Sequence, residues 1–290
     1  MFVIKYKTIW YVLSALLIGV SIWAVFAYGF NLSIDFKGGT ITEVRYRDRP
    51  ERELVNSEIE KLNIGGFSLR PSGENNYVIR TRELGDAEAR NLLSALSSDE
   101  VERQNTIGPV AGAELKNKAV KGVVVVIMMI VLFVTFAFRK VSVPVRSFKY
   151  GLATIIALAH DVIIPAGIFV MLGYEIDLLF VTGLLAILGY SVHDSIVVFD
   201  RVRENLRLNQ EHNQKEEFET TVGKSVQQTF ARSINTSLTI FITLLALYIY
   251  GSAATQNFAL LLIIGLIAGT YSSIFIASPL LLTFYKWQKR

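Results

Sequence analysis

The stretch LLFVTGLLAILGYSVHDSIVVFDRVREN (residues 178–205) opens apolar and closes charged, and inside its apolar part His193 and Asp194 stand side by side. The run from Leu178 to Phe199 is long enough for a helix that crosses a bilayer, because about 20 residues at 1.5 Å each span the hydrocarbon layer. Along such a helix Asp194 lies roughly 24 Å past Leu178, inside the membrane and about two turns from the charged end. A carboxylate at the bilayer centre costs roughly 2.5–3.5 kcal/mol to insert, so it faces a bundle interior and is a functional candidate by default. Ser191 and Ser195 lie within a turn of Asp194 and are expected to hydrogen-bond it in either protonation state.

Working outward, five more apolar runs stand at roughly 8–28, 119–138, 150–172, 233–250 and 257–284, which predicts six transmembrane helices. The first is too long for a signal-peptide core and no small-x-small cleavage site follows it, so it reads as a retained helix. The net charge is +4, but the basic residues gather at helix ends, which reads as topology rather than nucleic-acid binding. There is no cysteine, so disulfides, thiolate metal sites and cysteine nucleophiles are excluded. Arg139, Lys140, Arg146 and Lys149 occupy one short loop, Lys286, Lys289 and Arg290 the C-terminus, and Arg201, Arg203, Arg207, Lys215, Lys224 and Arg232 the segment 200–232. The loops GYEID (173–177) and GSAATQN (251–257) carry no Lys or Arg. Both termini are therefore expected in the cytoplasm and residues 29–117 outside it.

That outer segment reads as a domain. TITEVRYR (40–47), FSLRP (67–71), NYVIRTR (76–82) and VERQNTIG (101–108) read as strands, with a turn at SGEN (72–75), while ERELVNSEIEKL (51–62) and DAEARNLLSAL (86–96) read as helices. The order βαββαβ is the split βαβ, ferredoxin-like arrangement. The expected organisation is residues 1–28 as cytoplasmic N-terminus and first membrane helix, 29–117 as an extracytoplasmic α+β domain, and 118–290 as the remaining five-helix bundle. Within the bundle lies a cytoplasmic amphipathic segment, 200–230, where Phe218, Val222, Val226 and Phe230 recur every fourth residue. Two readings fit it, a helix in the membrane interface and a solvated linker helix.

Two other membrane helices carry polar groups. LATIIALAHDVIIPAG (152–167) holds His160 and Asp161, with Asp161 near the midplane, and Pro165 removes the backbone bond to residue 161 and frees its carbonyl. In QQTFARSINTSLTIFITLL (227–245), Arg232, Asn235, Thr236, Thr239 and Thr243 fall on one face. At that depth Arg232 and Asp194 are placed to form an ion bridge that breaks when Asp194 takes a proton. Blander readings stay open: Arg232 snorkels to the surface, the Ser/Thr stripe is helix–helix glue, and Asp161 is a static packing partner. Gly265, Gly269 and Ser273 have small-xxx-small spacing, which reads as packing. A buried carboxylate loads and releases protons, and each charge moved through the membrane field is worth roughly 2.3 kcal/mol per 100 mV. Enzyme signatures are missing: there is no P-loop, no H-E-x-x-H, no nucleophile elbow and no G-x-G-D. No cofactor or metal is expected.

SIDFKGGT (33–40), GPVAGAEL (108–115), HDVIIPAG (160–167), GYSVHDSIVVFDRVREN (189–205) and ARSINTSLT (231–239), in this order, resemble the motifs of the SecF family, the smaller membrane subunits of the SecD/SecF protein-export complex in the RND superfamily. The resemblance covers essentially the whole chain. It implies a SecD partner supplying six more helices, association with the SecYEG channel and accessory translocase membrane proteins, unfolded preproteins as substrates, and residence in the bacterial inner membrane. It implies that Asp194 carries protons, that Arg232 is its basic partner, and that Asp161 and Asn235 support them. It implies that Asp35, Gly38 and Gly39 shape the junction between the first helix and the outer domain, where glycines permit a tight turn. His193 departs from the Asn found in many members, and three roles are open to it: joining the proton route, tuning Asp194, or donating a hydrogen bond. Two other functions compete with a proton-driven export subunit: a scaffold that stabilises the translocon without moving protons, and half of an RND-type small-molecule exporter.

Overall fold

The structure, a computed structural model, describes residues 2–139, 145–251 and 253–289. Lys140 and Arg290, which entered the orientation argument, lie outside the described residues, as do Ser252 and the side chains of Ala253, Ala254 and Lys289. In chain order the elements are α1 (Phe2–Lys5), α2 (Lys7–Tyr28), α3 (Ile34–Lys37), β1 (Gly39–Arg45), α4 (Arg52–Lys61), β2 (Ser68–Ser72), β3 (Asn76–Thr81), α5 (Asp86–Leu96) and β4 (Glu100–Ile107). Then follow α6 (Pro109–Ala137), α7 (Ser147–Met171), α8 (Leu178–Glu211), α9 (Phe218–Tyr250), α10 (Ala253–Ser272), a π-helical turn (Ser273–Ala277) and α11 (Ser278–Lys289). The described residues contain six helices long and apolar enough to cross a membrane, α10 to α11 counting as one through the π turn. The chain divides into two compact units, one of residues 31–121 and 175–178, the other of the remaining helices.

The smaller unit carries an antiparallel sheet in the order β2-β3-β1-β4. Alternation decides which face is covered: Thr40, Thr42 and Val44 of β1 and Tyr77, Ile79 and Thr81 of β3 are buried. Val55 and Ile59 of α4 and Leu92 and Leu96 of α5, each pair one turn apart, close on that face with Leu69 and Tyr46. Burying such side chains away from water contributes about 1.5–3 kcal/mol each. Glu88 accepts from the Gly85 backbone N–H at 3.2 Å and opens α5. The register shifts between Glu43 and Val44, a bulge in the β1–β4 pair. The short segment 175–178 belongs to this unit too: Ile176 pairs with Leu32, its N–H donating to the Asn31 carbonyl at 2.9 Å and its carbonyl accepting from Ser33 N–H at 3.0 Å.

The helical unit is held by close contacts between small residues rather than by the hydrophobic effect, because lipid is as apolar as leucine. On α8 and α10 these run as a ladder: Gly183 against Leu261, Ile187 against Gly265 and Ser191 against Gly269, with Ser195 hydrogen-bonded to Ser273 at 2.9 Å. A Cβ on Gly265 would sit 2.2 Å from Ile187, so no larger residue fits there without a shift. The expectation that Gly265, Gly269 and Ser273 serve packing agrees with these contacts. Gly167 of α7 abuts Ser21 of α2 in the same way. Phe138 stacks on Tyr150 at 5.1 Å, and Phe199 meets both edge-on at 5.9 and 5.3 Å. Helix α7 continues through Pro165, which is buried.

The segment 200–230 differs from the expectation of a separate amphipathic helix. Residues to Glu211 extend α8, and residues from Phe218 extend α9, with a turn at Asn213 in the left-handed region (φ 52°). Phe218, Val222 and Val226 are buried in protein, not laid on lipid or water. They have somewhere better to go: Phe218 packs on Tyr285 at 4.9 Å, and Val222 joins the main helical core. Asn205 donates to Ser225 at 2.8 Å and Asn209 to Thr221 at 3.2 Å, zipping the two extensions together.

Candidate functional site

Two carboxylates lie buried in the helical unit, Asp161 on α7 and Asp194 on α8. Asp161 is fully dressed. Its Oδ1 is 2.8 Å from His160 Nδ1, and its Oδ2 accepts from Ser272 at 2.7 Å and from Ser191. Asp194 is half dressed. Its Oδ1 accepts from Ser233 of α9 at 2.6 Å, while its Oδ2 is buried without a hydrogen-bond partner among the described residues. Ser191 and Ser195, expected on Asp194, go elsewhere: Ser191 donates to Asp161, and Ser195 pairs with Ser273, whose Oγ also reaches the Ser191 carbonyl at 3.3 Å. The two acids therefore share one hydroxyl-lined cluster drawn from α7, α8, α9 and α10. A π turn starts at Ser273, inside that cluster, a backbone irregularity frequent at functional sites.

Helix α9 turns a different face inward from the one its polar stripe suggested. Ser233 and Ser237 are buried, whereas Arg232, Asn235, Thr236, Thr239 and Thr243 are exposed. Among the described residues Arg232 makes no ion pair, and the ion bridge expected between Arg232 and Asp194 is replaced by the Ser233 hydroxyl. The physical reason is size: serine allows the close approach of α9 that a guanidinium stem does not. The stripe's threonines satisfy themselves, Thr236, Thr239 and Thr243 each donating to the carbonyl four residues earlier. His193 is exposed on α8. Ser233 and Ser272 went unread in the sequence. A signal for the first existed, the spacing Thr229–Ser233–Ser237 at successive fourth residues; the second carries no pattern beyond a serine pair.

The junction residues sit together in the smaller unit. Asp35 Oδ2 accepts the Leu178 N–H at 3.0 Å, so this side chain caps the start of α8. Gly38 and Gly39 adopt positive φ (79° and 135°); a Cβ on Gly38 would lie 2.7 Å from Pro109 Cα, and on Gly39 2.5 Å from the Thr81 carbonyl oxygen. Both positions need glycine for conformation and for space. Beside them Glu175 pairs with Arg80 at 2.5 Å. Burial pushes the Glu175 carboxyl up despite that partner, and burial pulls the Arg80 guanidinium down. Desolvation thus outweighs attraction in both members of the pair.

Residues 89–287 match the family described as protein export membrane protein SecD/SecF, C-terminal, and residues 23–48 match the SecD/SecF GG motif. The protein translocase subunit SecF of Thermobaculum terrenum is 37% identical over 99% of this chain and 94% of its own length. That of Anaerolinea thermophila is 35% identical over 92% of this chain and 88% of its own. The crystal structure of SecDF, a translocon-associated membrane protein from Thermus thermophilus, superposes with a TM-score of 0.83 at 35% identity. The match covers 96% of this chain but only 37% of that one.

Proposed function

Because this chain belongs to the SecD/SecF family of protein-export membrane proteins, we propose that it is an auxiliary subunit of the Sec translocase that uses the proton gradient to promote preprotein translocation or release on the outer side of the membrane. It is a multi-pass membrane protein. In this reading it resides in the bacterial inner membrane with both termini in the cytoplasm, and residues 29–117 form an extracytoplasmic, ferredoxin-like domain that handles preprotein. It does no covalent chemistry. Its partners are a SecD subunit and the SecYEG channel, with accessory membrane proteins.

The observation that carries the proton coupling is the buried Asp194 carboxylate with one satisfied and one unsatisfied oxygen. A carboxylate so placed is poorly stabilised as an anion and is ready to accept a proton at Oδ2. Asp161, ringed by donors, serves as the fixed counterpart. Arg232 and Asn235, exposed on α9, meet the SecD partner, where a cation inside a membrane finds its counter-charge. His193, also exposed, lies on the route by which protons reach the site. Asp35, Gly38 and Gly39 shape the junction between the first membrane helix and the outer domain.

The test is export of a secreted preprotein from cells carrying Asp194→Asn at matched membrane levels, with and without an uncoupler. Loss of export stimulation together with loss of this protein's share of gradient dependence supports the motor. Unchanged export with an unchanged gradient response sinks it and leaves a scaffold role, which the exposed polar face of α9 also suits.

A further inference from the structure

Asp194 Oδ2 has a counterpart at the other end of the same cluster. His160 of α7 is buried, and its Nε2 has no hydrogen-bond partner among the described residues. Its Nδ1 faces Asp161 Oδ1 at 2.8 Å. That oxygen belongs to a carboxylate already accepting from Ser191 and Ser272. A carboxylate accepts, so Nδ1 carries the hydrogen and Nε2 holds a bare lone pair. This is the arrangement by which a carboxylate fixes an imidazole tautomer and stabilises the imidazolium that forms when the second nitrogen takes a proton.

The imidazole is flanked on its other side by an aromatic ring. The Tyr271 ring of α10 stacks on the imidazole with centroids 5.7 Å apart and planes 24° apart. An aromatic face at that range attracts a cation. Tyr271 is itself anchored, its hydroxyl donating to the Trp10 carbonyl of α2 at 3.0 Å and accepting from Ser14 at 3.2 Å, so it is committed away from Nε2. The groups that bear on His160 are then Asp161 from its own helix, Tyr271 from α10, Ser14 and Trp10 of α2 acting through Tyr271, and Ser191 of α8 acting through Asp161; the other carboxylate of the cluster is Asp194.

We infer that His160 is a second proton-carrying group of this protein: its buried Nε2, opposite the Asp161-bonded Nδ1, takes a proton from internal water and returns it from the same atom. In the loading step a hydronium proton joins the Nε2 lone pair and leaves water, and the imidazolium is held between Asp161 and the Tyr271 ring. In the unloading step the Nε2–H bond breaks and the proton passes to another water. The inference rests on the proton-coupled reading of the family member but names a group that this reading does not use.

The test takes the full chain with its SecD partner in proteoliposomes, with a pH-sensitive dye trapped inside, and measures proton flux in wild type, Asp194→Asn and His160→Asn. The Asn amide reproduces the Nδ1–H donor to Asp161 and removes the titrating atom. His160→Asn is expected to co-purify with the partner at wild-type yield and to cut flux about a hundredfold or more, the scale of a lost acid–base group. Wild-type flux in His160→Asn beside abolished flux in Asp194→Asn overturns the inference and leaves the proton-coupled reading standing. Wild-type flux in Asp194→Asn overturns the role of that carboxylate alone, and loss in His160→Asn still supports this one. A second measurement does not depend on flux: nitrogen NMR of the full chain labelled at its three histidines, with His193→Asn and His212→Asn to assign the signals. A His160 Nε2 signal that exchanges its proton with solvent supports the assignment; one that does not exchange overturns it.

Discussion

Asp161 and Asp194 sit on adjacent helices in one core, are both buried, and are held in opposite ways. Among the described residues Asp161 receives three donors from three helices, while Asp194 receives one and keeps an oxygen bare. The difference separates two uses of a buried acid. Many donors fix the geometry of the helices that supply them; an oxygen left bare leaves room for a proton to bind. Removing Asp161 is therefore expected to damage the fold, and removing Asp194 to damage the work.

The largest expected effect follows from this. Asp161→Ala strands a buried imidazole and two hydroxyls and is expected to cost about 3–5 kcal/mol, the scale for breaking a buried charged network. Asp194→Ala strands, among the described residues, the Ser233 hydroxyl and is expected to cost about 1–2 kcal/mol. Denaturation of the two detergent-solubilised variants, side by side, decides the matter. Equal losses break the contrast.

The junction of the smaller unit offers the same contrast in backbone form. Gly39→Ala places a side chain at φ 135° and against the Thr81 carbonyl, with an expected cost of about 1–3 kcal/mol for the strain. Gly73 in the β2–β3 turn also has positive φ, at 59°, but meets nothing within 4 Å. Gly73→Ala is expected to cost about 1 kcal/mol, as a left-handed residue with room around it. Protease sensitivity of the full chain, scored at β1, reads the difference; a Gly73 variant as fragile as the Gly39 one refutes the role given to close approach.

On α9 the neighbours Ser233 and Arg232 make a sharper pair. Ser233→Ala removes the hydroxyl that donates to Asp194 Oδ1 and is expected to cost about 1 kcal/mol of stability in the isolated chain. Arg232→Gln, at an exposed position, is expected to stay within about 0.5 kcal/mol. A larger loss from the arginine change would mean that Arg232, not Ser233, reaches the carboxylate.

That pair also marks where the sequence ran out. Apolar runs located all six long helices, because length and oiliness alone decide whether a segment spans a membrane. Alternation and turn residues located β1 to β4, because a sheet covered on one side writes its pattern into the chain. Asp161 and Asp194 stood out because an acid in an oily run needs a reason. Which donors each would receive was not legible. A helical stripe defines a face but not the direction it points, and in a membrane the apolar face is as welcome outside as in. So the conspicuous Arg232–Asn235–Thr239 face points out and the inconspicuous Ser233–Ser237 face points in. The fate of segment 175–178 was hidden for another reason: its bonds to Asn31, Ser33 and Asp35 join residues far apart in the chain.

The smallest expected effect is a pH dependence that contrasts two carboxylates of the smaller unit. Exposed Glu88 is held below the ordinary glutamate value of 4.5 by the hydrogen bond from Arg82, which a 3.0 Å contact supplies, and then by the Gly85 N–H. Its folded form binds the proton less tightly than the unfolded form, so its contribution is complete above 4.5 and is lost as pH falls through the folded value. Glu175 has the opposite sign: burial raises it above 4.5, so its contribution is complete below 4.5 and is lost as pH rises through the folded value. The two limbs fall on either side of 4.5 and together give this unit a shallow optimum in that region. Hydrogen exchange at β1 and β3 amides of the full chain, followed against pH, resolves them. Glu88→Gln is expected to flatten the acid limb and Glu175→Gln the limb above it. If Glu175→Gln instead flattens the acid limb, Arg80 wins over desolvation at that half-buried pair.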